Sequence, residues 1–265
     1  RAELERLLLS PYPRRGLELL VHTGICDIVL PEVSALQDTV DEHRRHKDVY
    51  EHTLTVLQQA MDLETGPDGA VPGPDLRLRL AALMHDIGKP ATRRFMPDGT
   101  VTFHAHDYVG ARMTAKRMRA LHFDKQTIKD VSRLVELHLR FHGYADSPWS
   151  DSAVRRYVTD AGPLLARLGC LTRADVTTGN RRKAAMLSHA YDDLERRIEA
   201  LRHQEELASI RPELDGQEIM AELGIKPGPE VGKAYKFLLD LRMERGPIGK
   251  ELAREALHSW WATQQ

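Results

Sequence analysis

Two histidines and two aspartates, His52, the pair His85–Asp86 and Asp175, stand on three separate stretches that read as helices and together spell H…HD…D. Imidazole nitrogens and carboxylate oxygens converging from different helices make a mixed N/O ligand set for a divalent cation, and a cation so held can activate water against a phosphate ester. A lone histidine carries little weight in a chain with 13 of them; the combination carries more. His85 and Asp86 close an apolar helix, where a buried carboxylate is costly unless something pairs with it, and coordination supplies that pairing. Asp175 is likewise set among Leu164, Leu165, Leu168 and Leu171. His106 and His138 fall between them in sequence order and either add to the ligand set, contact substrate phosphate or line the pocket. Lys89 follows Gly88, which reads as a helix stop at C′, and brings an ammonium to the mouth of the site as a phosphate binder or transition-state clamp. Asp86 and Lys89 are thus the expected catalytic residues, and Arg112, one to two turns beyond His106, is a second candidate for substrate phosphate. The ligand types suit Mn, Ni, Co, Fe, Mg or Zn, one ion or two, and do not choose among them.

Other histidines fit less well. His106–Asp107 is a second HD pair, but it opens a helix, where Asp107 serves the helix dipole. His104 falls at the end of a hairpin and His142 in a loop, while His43 and His46 belong to a basic turn, HRRHK.

The elements that must position these residues are helical. Helices are expected over Ala2–Leu9, Arg14–His22, about Glu32–His43, Val49–Leu63, Asp75–Ile87, Asp107–Leu121, Asp124–Phe141, Ser152–Asp160, Leu164–Thr178, Arg181–Ser209, Gly216–Leu223, Glu230–Arg245 and Gly249–Thr263, punctuated by Gly and Pro. Asp48 reads as an N-cap with Glu51 as its capping-box partner. Leu76, Leu80, Leu83 and Met84 mark one apolar face on the helix that leads to His85. Thr65–Pro74 is rich in Gly and Pro and reads as a loop. Pro97-Asp98-Gly99 between β-formers breaks the helical pattern at Thr92–Phe103 and reads as a small hairpin. The fold class expected is all-α, a multi-helix bundle with one β-hairpin near 92–103.

Composition narrows the function. Charged residues make up 29% and aromatics 6%, and the net charge is −1, so no global basic field advertises nucleic acid. Contacts to RNA must come from local clusters: Arg155 and Arg156, Arg181, Arg182 and Lys183, and Arg44 and Arg45 with Lys47. Trp260 and Trp261 read as residues that pack the last helix down. The two cysteines, Cys26 and Cys170, lie in apolar stretches and read as buried free thiols rather than a disulfide or zinc framework. With no signal peptide and no apolar run long enough to cross a bilayer, the expected compartment is the cytoplasm. No G-x-S-x-G, P-loop or G-x-G-x-x-G is present. The first residue, Arg1, already lies inside a helical pattern, which suggests a piece of a longer protein.

The metal residues resemble those of the HD-domain metal-dependent phosphohydrolases, and their flanks resemble the C-terminal portion of bacterial CCA-adding tRNA nucleotidyltransferases and poly(A) polymerases. AELERLLLS…GLELLVHTGICDIVLPEV is similar to the neck and body helices of that family. HKDVYEHTL, ALMHDIGKPATRR, TFHAHDYVGARM and TRADVTTGN resemble its HD module, and GIKPGPEVGKAYKFLLDLRMERG its tail. The resemblance implies three segments: a neck/body-like RNA-binding part at 1–46, an HD phosphohydrolase domain at 47–210 and a helical tail at 211–265. It implies a second cation position held by His106 and His138, with Asp86 bridging the two ions, and hydrolysis of phosphomonoesters and 2′,3′-cyclic phosphodiesters, with tRNA or an RNA 3′ end and nucleotides as partners. The nucleotidyltransferase head, with its Gly-Ser turn and paired aspartates, is not in these residues. The competing expectation is a non-catalytic tRNA-binding scaffold whose metal is structural. A third possibility, a nucleotide-sensing HD regulatory domain, would need tight nucleotide binding without turnover, and nothing in the residues demands it.

Overall fold

A computed structural model of the chain describes residues 1–37, 39, 48–144, 147, 149–205 and 210–264, without the side chain of His142. The fold is all-α, apart from one antiparallel hairpin of β1 (Arg94–Phe95) and β2 (Val101–Thr102) paired Arg94 to Thr102 and Phe95 to Val101. Gly99, with φ of 77°, turns this hairpin, as the Pro-Asp-Gly sequence requires. Among the described residues no helix is long and apolar enough to cross a membrane.

The chain forms two compact units. Residues 1–145 and 163–191 make the first. It contains α1 (Ala2–Leu9), α2 (Pro13–His22), α3 (Ile25–Val29), α4 (Pro31–Ser34), α5 (Val49–Asp62), α6 (Leu76–Met84), α7 (Lys89–Thr92), α8 (His106–Ala120), α9 (Lys125–Leu137) and α11 (Leu165–Ala174). Helix starts follow their caps: the Asp48, Asp75 and Asp124 carboxylates accept from the backbone N–H of Tyr50, Leu78 and Thr127. Glu51 pairs with Arg14 at 2.6 Å, a tertiary contact in place of the expected capping box. The single apolar face expected for α6 is a correction in kind. Leu78 through Met84 are all buried, because α1, α5, α9 and α11 surround this helix. Arg79 is accommodated there by Glu64, at 2.6 Å, and by donating to the carbonyls of Leu8 and Ser10.

The second unit, residues 146–162 and 192–265, contains α10 (Asp151–Ala161), the remainder of α12 (Arg181–Glu205), α13 (Gly216–Leu223), α14 (Pro229–Arg245) and α15 (Lys250–Ala262). Leu214, Ile219, Ala234, Leu238, Ala253 and Leu257 form a core cluster within it. Asp215 and Glu218 close a full capping box on α13, and Trp260 stacks on Phe237 at 4.9 Å between centroids. Cys26 is wholly buried, and burial pushes its thiol up to about 11. Cys170, expected to be buried, is partly exposed. Arg44, Arg45, Lys47, His43, His46 and the end of the helix expected to reach His43 lie outside the described residues.

A cluster of histidines and aspartates

Five elements of the first unit converge on one point. His52 comes from the first turn of α5, whose buried positions Thr53, Val56, Leu57 and Ala60 turn its neighbouring face inward. His85 and Asp86 follow the last residue of α6, in a tight turn. His106 is the first residue of α8, and His138 follows α9 as the start of a 3₁₀ turn, His138–Gly143, so the α-helix ends sooner than the expected Phe141. Asp175 caps the end of α11. Ligand-type atoms of His52, His85 and Asp175 lie within 4.8 Å of one another, as do those of Asp86, His106 and His138.

The two groups share Asp86. Its Oδ2 lies 3.2 Å from His85 Nε2 and 3.5 Å from His52 Nε2, while its Oδ1 lies 3.3 Å from His106 Nε2. Asp175 Oδ1 is 3.0 Å from His52 Nε2 and 3.5 Å from His85 Nε2. The imidazoles form a chain, with centroids 5.3 Å apart for His52–His85 and His85–His138 and 5.4 Å for His106–His138.

Every ring presents Nε2 to the centre and spends Nδ1 on an outer partner. His85 Nδ1 donates to the Ala82 carbonyl at 2.9 Å, His106 Nδ1 to that of Phe103 at 2.9 Å, and His138 Nδ1 to that of Val135 at 2.6 Å. A carbonyl oxygen only accepts, so each of these three Nδ1 atoms carries a proton, and in its neutral form each ring turns a lone pair inward. The inward Nε2 of His106 and His138 and Asp86 Oδ2 are buried with no aligned hydrogen-bond partner among the described residues. Such atoms are expensive to bury, and a cation answers them. The donor set of four imidazoles and two carboxylates fits a divalent transition metal.

The electrostatics are those of a site built around positive charge. Burial opposes charge on Asp86, yet His85 and Lys89 hold its carboxyl well below the usual range. Asp175 is held low against its own burial by hydrogen bonds from His52 and His85. Burial disfavours a charged His85 too, but Asp86 and Asp175 override it and push the imidazole up to about 10. His138 goes the other way, to about 4, through burial and the neighbouring His85 charge. A proton on His85 thus stands where a cation would sit, and cation binding must release it.

Lys89 Nζ lies 2.8 Å from Asp86 Oδ2 and 5.6 Å from the centre of the Phe103 ring. Gly88, expected as a left-handed helix stop, is a correction: its φ is −77°. Glycine is required there by close approach instead, since a Cβ would lie 2.1 Å from the His106 carbonyl oxygen and 2.7 Å from the Gly110 nitrogen. Arg112 is exposed on α8. Six residues beyond His106, it sits about 120° around the helix from it. Among the basic residues, Arg155 is a further correction. It is buried, its guanidinium forks onto Glu205 with two 2.7 Å hydrogen bonds, and it donates to the Met243 carbonyl, which leaves no face for a phosphate. Arg156 is exposed and pairs with Glu244, and Arg181, Arg182 and Lys183 are exposed at the start of α12.

Two residues of the cluster's support have no local signature. Gln59 sits two turns beyond His52 on the same face of α5, and its Nε2 donates to the carbonyl of Ala174, next to Asp175, at 2.5 Å. Thr177 Oγ1 lies 3.0 Å from His52 Nδ1. The i, i+7 spacing of His52 and Gln59 was the one available clue.

The family profile described as "HD domain" matches residues 49–180, and that described as "Probable RNA and SrmB-binding site of polymerase A" matches residues 1–36. The chain is 37% identical to a CC-adding tRNA nucleotidyltransferase of Thermus thermophilus over 98% of its own length and 56% of that protein's. It is 34% identical to an A-adding tRNA nucleotidyltransferase of Deinococcus radiodurans, over 100% of the chain and 58% of the relative. A multifunctional CCA protein of Neisseria gonorrhoeae is 31% identical over 53% of the chain and 32% of its own length. The chain therefore spans a little over half the length of the first two relatives. With an HD module around the cluster and this likeness along nearly its whole length, the chain belongs to the tRNA nucleotidyltransferase family.

Proposed function

We propose that the cluster is a divalent-metal centre that hydrolyses phosphomonoesters and 2′,3′-cyclic phosphodiesters, within an enzyme that processes tRNA 3′ ends. One observation carries this reading: inward-facing Nε2 atoms, two of them buried with no aligned hydrogen-bond partner among the described residues, ring a shared carboxylate. His52, His85 and Asp175 would hold one ion, and His106 and His138 a second, with Asp86 common to both. A bound ion would lower the pKa of water and neutralise charge on a phosphoryl group. The chain's own contribution is placement. Lys89, with a side chain 13% exposed beside Asp86, is positioned to meet a phosphoryl oxygen as charge builds on it. Asp86 fixes that ammonium at the same carboxylate that would bind the metals.

In this reading residues 1–46 serve as an RNA-facing neck and body segment, 47–210 as the hydrolytic module and 211–265 as a helical tail. The exposed Arg156, Arg181, Arg182 and Lys183, and Arg112, are the phosphate contacts it leaves in play. The relatives are named for adding nucleotides to tRNA, which supports tRNA as the partner we assign.

The test is hydrolysis of a 2′,3′-cyclic nucleotide with Mn²⁺ or Ni²⁺, with and without chelator, by the wild type and by Asp86→Ala. Turnover that requires metal and is lost in the variant supports the reading. A folded protein that binds metal, gains thermal stability from it and turns over nothing assigns the metal a structural part in a tRNA-holding scaffold.

A further inference from the structure

His52 differs from the other three histidines in how its ring is held. His85, His106 and His138 each sit at or beside a helix end and donate Nδ1–H to the carbonyl three residues earlier. Their tautomer is therefore written into the backbone and no side-chain substitution removes it. His52 lies inside α5, where the carbonyls of the preceding turn are committed to the helix; the Asp48 carbonyl, for one, accepts from the His52 N–H at 3.1 Å. Its Nδ1 instead meets the hydroxyl of Thr177, 125 residues away in sequence, at 3.0 Å.

A hydroxyl both donates and accepts, so it holds either tautomer, whereas a carbonyl holds one. With Nδ1–H donating to Thr177 Oγ1, the His52 lone pair would be offered to an ion at Nε2, the atom that lies 3.0 Å from Asp175 Oδ1 and 3.3 Å from His85 Nε2. Thr177 stands two residues after Asp175, and Gln59 grips the carbonyl between α11 and that aspartate. The one strap therefore delivers both the carboxylate and the hydroxyl that aims the imidazole opposite it.

We infer that Thr177 is a positioning residue of the metal centre: its hydroxyl orients the His52 ring and can accept from Nδ1–H when an ion takes Nε2, and so sets the affinity of the His52–His85–Asp175 position. The inference rests on the metal-centre reading above. Thr178, the adjacent threonine, is a built-in control, because its hydroxyl accepts from the Asn180 N–H at 3.3 Å and is not the one facing His52.

Co²⁺ binding to the full 265-residue chain separates the possibilities, read by titration of the visible cobalt absorption and by long-range ¹⁵N–¹H NMR of the His52 ring in the metal-free protein. Thr177→Val keeps the shape and removes the hydroxyl; it should weaken Co²⁺ binding by roughly 10–100-fold and shift the His52 Nδ1 resonance. Thr177→Ser should restore both, and Thr178→Val should change neither. Should the wild type bind no Co²⁺, the metal-centre reading itself falls. Should it bind, with Thr177→Val folded and binding equally tightly, the metal centre stands and the positioning role is overturned. Equal weakening in Thr177→Val and Thr178→Val would also overturn it, by showing only a disturbed strap.

Discussion

The two compact units both bury charge, and they do so in opposite ways. In the second, Arg155 and Glu205 are paired through two hydrogen bonds, and the remaining guanidinium valence goes to the Met243 carbonyl. In the first, Asp86, His106 and His138 are equally buried, yet atoms that point at one another lack aligned partners. Saturated charges hold helices together; charges with valence left over are waiting for something else. The difference lies in what the atoms still need rather than in how deep they lie.

Breaking the saturated side should give the largest change in stability. Arg155→Ala strands Glu205 in a buried position and is expected to cost about 3–5 kcal/mol in urea unfolding of the metal-free protein, with no change in Co²⁺ affinity. Loss of metal binding in that variant would mean the contrast between the units is misdrawn. Asp86→Asn attacks the unsaturated side. Wild-type protein with metal at one hundred times its dissociation constant should gain about 2.7 kcal/mol, and the variant should gain almost none, as read by thermal unfolding with and without Mn²⁺. Gly88→Ala tests whether the cluster's own frame is tight. Its new Cβ must push against the His106 carbonyl, so roughly 1–3 kcal/mol of stability should go, together with weaker metal binding. An Ala variant as stable and as avid as wild type would show that this backbone contact is soft.

Much of this was legible in the residues, for local reasons. The hairpin followed from Pro97-Asp98-Gly99, and helix starts from Asp48, Asp75, Asp124 and Asp215, because turns and caps are decided within a few residues. The six residues of the cluster were legible as a series of types in order. What stayed hidden depends on partners distant in sequence. Arg155 read as half of a basic pair, although its helix buries Val154, Tyr157, Val158 and Ala161 beside it, and Glu205 lies fifty residues on. Gly88 read as a stop signal because its true reason, the peptide groups of α8, is a contact between elements. Thr177 gave no sign at all, since a hydroxyl in a polar strap looks like any other until His52 is seen against it.

The meeting of Gly88 with the start of α8 fixes more than a packing distance. Backbone lies against backbone there, so no rotamer can lengthen or shorten the span from Asp86 to His106. That side of the cluster behaves as a gauge of set width. The opposite side, where His52 leans on a threonine hydroxyl, behaves as a spring. Under the metal-centre reading, ions of different radius would be accommodated chiefly at the edge of His52, the most solvent-open of the four cluster histidines, with 16% of its side chain exposed.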